Sequence, residues 1–291
     1  MSWNRWPGHR RPFPFSNVLF GTLTRRPFVF FTAILLFVDI VASTSLERAP
    51  RLRSHHSRLL ADLAPEEIAG PVDLSAFVGC QNWVLLAVGE IAALDAWKKE
   101  MKWAGSLSRL ELVERANSIS QVLEQGLASL DTSPPPPSDT HNNNSIGRLQ
   151  PYYHASLQFT GKSLSAAPTR IWAHAAQIYL SVVVSGWVPS DAQVRHDVAQ
   201  ILTLLRAVDS AAQMHTFAWP ICVAGCLAEG DAQEQEFSTT ITGTGDLQLL
   251  SAVRESGRIM KAVWKSRQSL DAETWDMAAC FRVLGTPALL V

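Results

Sequence analysis

Cysteines, histidines and paired carboxylates are the residues of this 291-residue chain whose types and spacing bear on chemistry. Of the four cysteines, Cys222 and Cys226 stand one helical turn apart, a rough spacing for two metal ligands on one face. No second Cys or His pair stands at ligand spacing to complete a zinc site, and Cys80 and Cys280 lie in separate apolar runs. All four are read as buried, reduced thiols of a cytosolic or nuclear protein, not as a disulfide frame. His55-His56, among Arg51, Arg53 and Arg58, reads as a hydrated basic patch. His174, beside an apolar helix face, reads as a hydrogen-bonded residue at the edge of the core. Neither His-Glu-x-x-His nor Gly-x-Ser-x-Gly occurs. Gly161-Lys162-Ser163 resembles the end of a phosphate loop, but Ser156 stands where that loop needs a glycine. Gly243-Thr244-Gly245 is half a dinucleotide fingerprint without its third glycine or its strand. Glu66-Glu67 and Glu234/Glu236 read as the acidic decoration of solvated turns. The sequence therefore offers no catalytic constellation, and the chain is read as not an enzyme.

Ten tryptophans are more informative. Trp83, Trp97, Trp172, Trp219 and Trp264 fall on faces that helical periodicity would bury, where core packing is the ordinary use of the ring. The alternative is that Trp172, Trp219 and Trp264 line an apolar cavity or a surface for a ligand or partner.

The elements that must position these residues are helices. From Leu74 to Trp103 apolar residues recur at helical spacing, with Lys98, Lys99 and Lys102 in the last turn and Gly105 as the stop. Ser108-Arg109-Leu110-Glu111 fits a capping box, and Leu112, Val113, Ala116, Ile119, Val122, Leu123 and Leu127 form the inward stripe of the helix it opens. The short turn predicts antiparallel packing of these two helices. Helical patterning resumes at Pro168-Thr169 and ends at Gly186. Asp191 or Ser190 caps the next helix, and a third runs over about 211–228, kinked or broken by Pro220. A fourth spans 247–267, and a short one lies near 275–283. No strand pattern of useful length appears, so the expected fold is all-α: a bundle or superhelix of antiparallel helices. Four segments are expected. Residues 1–27 form a basic, unstructured N-terminal segment, and 28–130 the first helical part. Residues 131–168, with Pro134 to Pro137 followed by Asn-rich sequence, form a disordered insertion, and 169–291 the second helical part.

Composition bounds the function. With 47% apolar and 18% charged residues most of the chain must fold as a globule, and a net charge of -1 excludes a generally basic nucleic-acid binder. Arg5, Arg10, Arg11, Arg25 and Arg26 gather ahead of the apolar run Phe28 to Val38, the flank and core of a signal or anchor. The run is shorter than the ~20 residues of a spanning helix. Asp39 would cost roughly 2.5–3.5 kcal/mol within a longer span. A buried core helix is the preferred reading, and a single-pass membrane anchor over Phe28 to Thr44 the alternative.

Several segments, in order, resemble the fungal-specific transcription factor domain found downstream of a binuclear zinc cluster. They are Val78-Gly79-Cys80-Gln81-Asn82-Trp83; Gly89-Glu90-Ile91-Ala92-Ala93-Leu94-Asp95 with Trp97-Lys98; Ile171-Trp172-Ala173-His174-Ala175-Ala176 with Tyr179-Leu180; and Trp219-Pro220-Ile221-Cys222-Val223-Ala224-Gly225-Cys226. Asp39 to Thr44 is similar to a core helix of that domain, and Val283 to Val291 to its C-terminus. The resemblance covers about 28–291 apart from the insertion, and implies the regulatory module of a nuclear transcription factor. It implies control of RNA polymerase II transcription through other transcription proteins, a homodimer or a small ligand. In that family a separate six-cysteine cluster binds two zinc ions and reads DNA. This chain has no paired C-x2-C motifs, so it is expected to hold no cofactor of its own. Zinc and direct DNA contact would come only with an upstream cluster. The expectation is either that such an exon precedes Met1 or that the protein keeps the regulatory half alone. Nuclear localisation is implied, with the membrane as the alternative.

Overall fold

The computed structural model describes residues 17–60, 72–132, 166–208, 211–243, 251–267 and 274–291. The basic residues 1–16, the Pro/Asn-rich stretch 133–165, Glu66-Glu67 and Gly161 to Ser163 lie outside them. Every regular element described is helical and no strand occurs among the described residues, so the fold is all-α, as the periodicity predicts.

Helix α1 (Asn17–Leu46) is longer than the apolar run suggested. It passes through Pro27, which removes one ladder hydrogen bond without ending the helix. Ala33, Leu36, Ile40 and Val41 are fully buried, while Phe28, Phe31 and Leu35 point outward. By length and composition alone Phe28–Leu46 is able to cross a membrane. Its inner side is instead core of the protein. Asp39 accepts the backbone N–H groups of Arg51 (3.0 Å) and Leu52 (2.8 Å) at the entrance to α2 (Arg53–Leu60). The residue that argued against membrane insertion thus satisfies free donors ahead of a helix, and the membrane-anchor alternative is not favoured.

The helix expected from Leu74 onward divides in two. A single turn, α3 (Ser75–Val78), ends at Gly79, whose φ of 74° belongs to the left-handed region that glycine adopts without strain. Helix α4 (Asn82–Trp103) begins after the extended Gln81. Buried Asn82 ties the junction, donating to the Leu60 and Val72 carbonyls (3.1 and 2.8 Å) and accepting from Leu74 N–H (2.9 Å).

Helix α5 (Arg109–Thr132) starts where the capping box predicts, with Ser108 Oγ accepting Glu111 N–H at 3.2 Å. Glu111 turns its carboxylate to Arg115 instead of back to the cap. Leu112, Ala116 and Leu123 are buried, but Val113 and Val122 are exposed, so the stripe is narrower than expected. The antiparallel pairing of α4 and α5 shows in its contacts. Trp83 at the start of α4 fills the space a Cβ on Gly126 would need, near the end of α5. Arg115 lies 4.3 Å from the Trp97 ring centre, where the helices turn back.

Helix α6 (Ala166–Ser185) is central, packed against α4, α5, α7 (Ala192–Leu205) and α9 (Ala218–Cys226). Asp191 caps α7, accepting from Gln193 and Val194 N–H. The helix expected over 211–228 is broken before Pro220: α8 (Ala211–Met214) and a 3-10 turn (His215–Phe217) precede α9, and Pro220 falls in its first turn, where its missing N–H costs nothing. Every residue of α9 is buried. Helix α10 (Gly230–Thr242) was not expected at all; it carries Glu234 and Glu236, paired with Arg267 and Arg206. Helix α11 (Ser251–Ser266) covers α9, and α12 (Met277–Phe281) packs on α1 and α11.

Candidate functional site

The four cysteines are free and buried, as read from the sequence, and burial drives the thiols of Cys80, Cys226 and Cys280 up, away from reactive thiolates. No group of His, Cys, Asp or Glu suited to a metal occurs among the described residues. His174 Nδ1–H donates to Asp197 Oδ1 at 2.8 Å, at the core edge as expected. His56 departs from expectation. It is buried with Asp39 3.7 Å away, and burial holds its pKa below the ordinary histidine value. His55 is exposed.

Trp172 and Trp219 come together from α6 and α9, stacked at 5.2 Å with their planes 9° apart, and both are fully buried. Tyr179, two turns along α6 from Trp172, meets the Trp219 ring edge-on at 6.0 Å. Trp219 donates to Thr44 Oγ1 at 3.0 Å, joining the stack to α1. Trp264 stands apart on α11, half-buried, its N–H given to the Gly225 carbonyl at 2.8 Å. None of the three lines either of the two clefts described below.

The larger cleft, about 360 Å³, lies where the ends of α1, α4 and α6 meet the segment leading into α12. Lys99 organises it, reaching Glu47 (2.9 Å), Asp95 (2.9 Å) and Asp276 (2.7 Å). Glu47 also receives Arg282, and Asp276 caps α12 through Ala279 N–H. Burial works to lower the Lys99 pKa, but Asp95, Asp276 and Glu47 outweigh it and hold the ammonium well above its ordinary value. Burial raises Asp95, and Lys99 only partly opposes it. Hydrogen bonding from Arg282, against the cost of burial, lowers Glu47. Beside this network Lys98 donates to the Val183 carbonyl near the end of α6, its pKa lowered by burial.

A smaller, apolar cleft of about 160 Å³ lies between α1 and the C-terminus, lined by Ile34, Phe37, Phe77 and Leu290 among others. Neither cleft was predicted. Their linings come from segments far apart in sequence, and no local spacing marks them.

The fold and its interior define an all-α domain with an aromatic core and buried, reduced thiols. Comparison identifies it further: the chain belongs to the fungal specific transcription factor domain family, whose model matches residues 21–285. It is 44% identical over 271 residues to the transcription factor dibT of Pestalotiopsis microspora, covering 93% of this chain and 42% of that protein. It is 29% identical over 268 residues to the trichothecene biosynthesis transcription regulator TRI10 of Trichoderma arundinaceum, covering 90% and 54%. The ustiloxin B cluster transcription factor ustR of Aspergillus flavus matches at 28% over 215 residues, covering 74% and 33%. The chain spans roughly half or less of the length of these relatives. No solved structure matches it.

Proposed function

We propose that this chain controls transcription of a fungal biosynthetic gene set, as the regulatory rather than the DNA-reading part of a transcription factor. The family match over 21–285 carries the reading, and the relatives named as biosynthesis or cluster regulators give it direction. The module acts in the nucleus on the RNA polymerase II machinery through protein contacts, homodimerisation among them. Contact with DNA is indirect or through a zinc cluster carried elsewhere.

The test fuses the 291-residue chain to a heterologous DNA-binding domain upstream of a reporter, with a fluorescent tag after Val291. Reporter transcription that departs in either direction from the DNA-binding domain alone, with nuclear fluorescence, supports the reading. Unchanged transcription with a nuclear signal overturns it, and a reticular signal revives the membrane alternative.

A further inference from the structure

The larger cleft is built around an unspent donor. Tyr179 is 1% exposed and lines the cleft, yet its buried hydroxyl has no hydrogen-bond partner among the described residues. A buried, unpaired hydroxyl is costly, and Tyr179 lines a cleft where a ligand oxygen can complete it. Glu47, Asp95 and Asp276 do not accept from it; they are engaged by Lys99, and Glu47 by Arg282 as well. Two lysines of the lining have donors to spare. Lys98 has given one of its three N–H bonds to Val183, and Lys102, one turn further along α4, has no ion-pair partner among the described residues. Apolar wall comes from Val182, Met277 and Trp275.

We propose that this cleft binds a small organic acid: a single carboxylate on a compact apolar body. The carboxylate meets Lys98 and Lys102, an oxygen of the same molecule accepts a hydrogen bond from the Tyr179 hydroxyl, and the body lies against Val182, Met277 and Trp275. Cationic ligands are disfavoured because Glu47, Asp95 and Asp276 are already bridged by Lys99 and Arg282, and an anion adds to the partial compensation that Asp95 and Asp276 give the buried Lys98 ammonium. The volume sits at the small end of the ~300–1,000 Å³ usual for ligand sites, which limits the body to about one ring. Occupancy bears on regulation because the walls come from four separate elements. A ligand there ties the α12 segment to α1 and α4, adding to the Lys99 and Arg282 bridges that already span them. The proposal rests on the regulatory reading for its consequence, not for its chemistry.

The test is equilibrium titration of the full chain with benzoate and cyclohexanecarboxylate, against neutral benzamide and cationic benzylamine. The acids are expected to bind with Kd of about 1 mM or tighter, and the amide and amine at least about tenfold more weakly. Tyr179→Phe keeps the ring and Lys102→Met changes an exposed side chain, so both variants fold. Each should weaken benzoate by about five- to tenfold. The proposal is overturned if neither acid binds, if all three charge types bind alike, or if both variants bind as wild type does. The reporter fusion separates the two readings. A chain that moves the reporter but binds no acid loses the site and keeps the regulatory function; one that binds acids and leaves the reporter unmoved does the opposite.

Discussion

Tyr179 divides two regions that solve burial in opposite ways. Its ring belongs to the aromatic core, edge-on to Trp219, where Trp172, Trp219 and Phe37 supply large apolar area and the Trp219 N–H is satisfied by Thr44. Its hydroxyl belongs to the cleft, where three carboxylates crowd one ammonium and a phenol stays unpaired. The first region gains free energy mainly from apolar contact, although the buried Trp172 N–H has no hydrogen-bond partner among the described residues. The second must recover the cost of desolvating charge, which a buried ion network seldom does by a wide margin. A sequence selected for stability alone would have replaced the second with apolar side chains.

Substitutions separate the two regions by size and sign. Trp219→Ala removes a fully buried ring together with its stacking partner's contact and the bond to Thr44, and should lower unfolding free energy by about 4 kcal/mol in chemical denaturation. A loss under about 1 kcal/mol would show that the stack is not the keystone of the core and would return Trp172 and Trp219 to the surface reading. Lys99→Met strands Asp95 and Asp276 and leaves Glu47 with Arg282 alone. Because the Lys99 side chain is 30% exposed, water relieves part of that cost, and the expected loss is about 2 kcal/mol. Tyr179→Phe should act in the opposite direction, raising stability by about 1 kcal/mol because it deletes an unpaired buried hydroxyl and leaves the ring packing intact. Were it to lower stability, the hydroxyl would have a partner in solution and the cleft would be self-sufficient.

The two regions were also unequally legible. Helices with an apolar face show in the spacing: α6 from Pro168, α7 with Asp191 at its cap, and α5 with Ser108. Helix α10 was missed because only Phe237 and Ile241 of its thirteen residues are buried, too few to print a period against its Glu, Gln and Thr. The break at Gly79 was hidden because apolar spacing continues across it, and only the backbone shows the left-handed turn. Residues 17–27, the start of α1, offer no periodic apolar face and read as part of the basic N-terminal segment. His56 read as hydrated beside three arginines, yet α1 and α4 close over it. The core tryptophans were identifiable one by one from their faces, but their stacking was not. The cleft was beyond reach of spacing altogether. Glu47, the lysines of α4, Tyr179 and Asp276 are each unremarkable where they stand in the chain, and only the packing of four helix ends brings them together.

Two carboxylates on one ammonium offer the finest test of the contrast, because they shift in opposite directions. The folded pKa of Glu47 is lowered from the ordinary 4.5, chiefly by Arg282. Its contribution is thus fully present above pH 4.5 and is lost as pH falls through the lower folded value. The folded pKa of Asp95 is raised above the ordinary 3.8 by burial, so its contribution is present below 3.8 and lost as pH rises through the higher folded value. On acidification Asp95 therefore takes up its proton with a gain in stability and Glu47 with a loss. Denaturation midpoints followed from pH 7 downward should fall less steeply below pH 4.5 in Glu47→Gln than in the wild type. In Asp95→Asn they should fall more steeply over the window just above 3.8, where the compensating gain is gone. Parallel profiles for both variants would mean that Lys99 holds its three acids equivalently. The cleft would then be a symmetric ion cluster instead of one with a more exposed side, at Glu47, and a buried side, at Asp95.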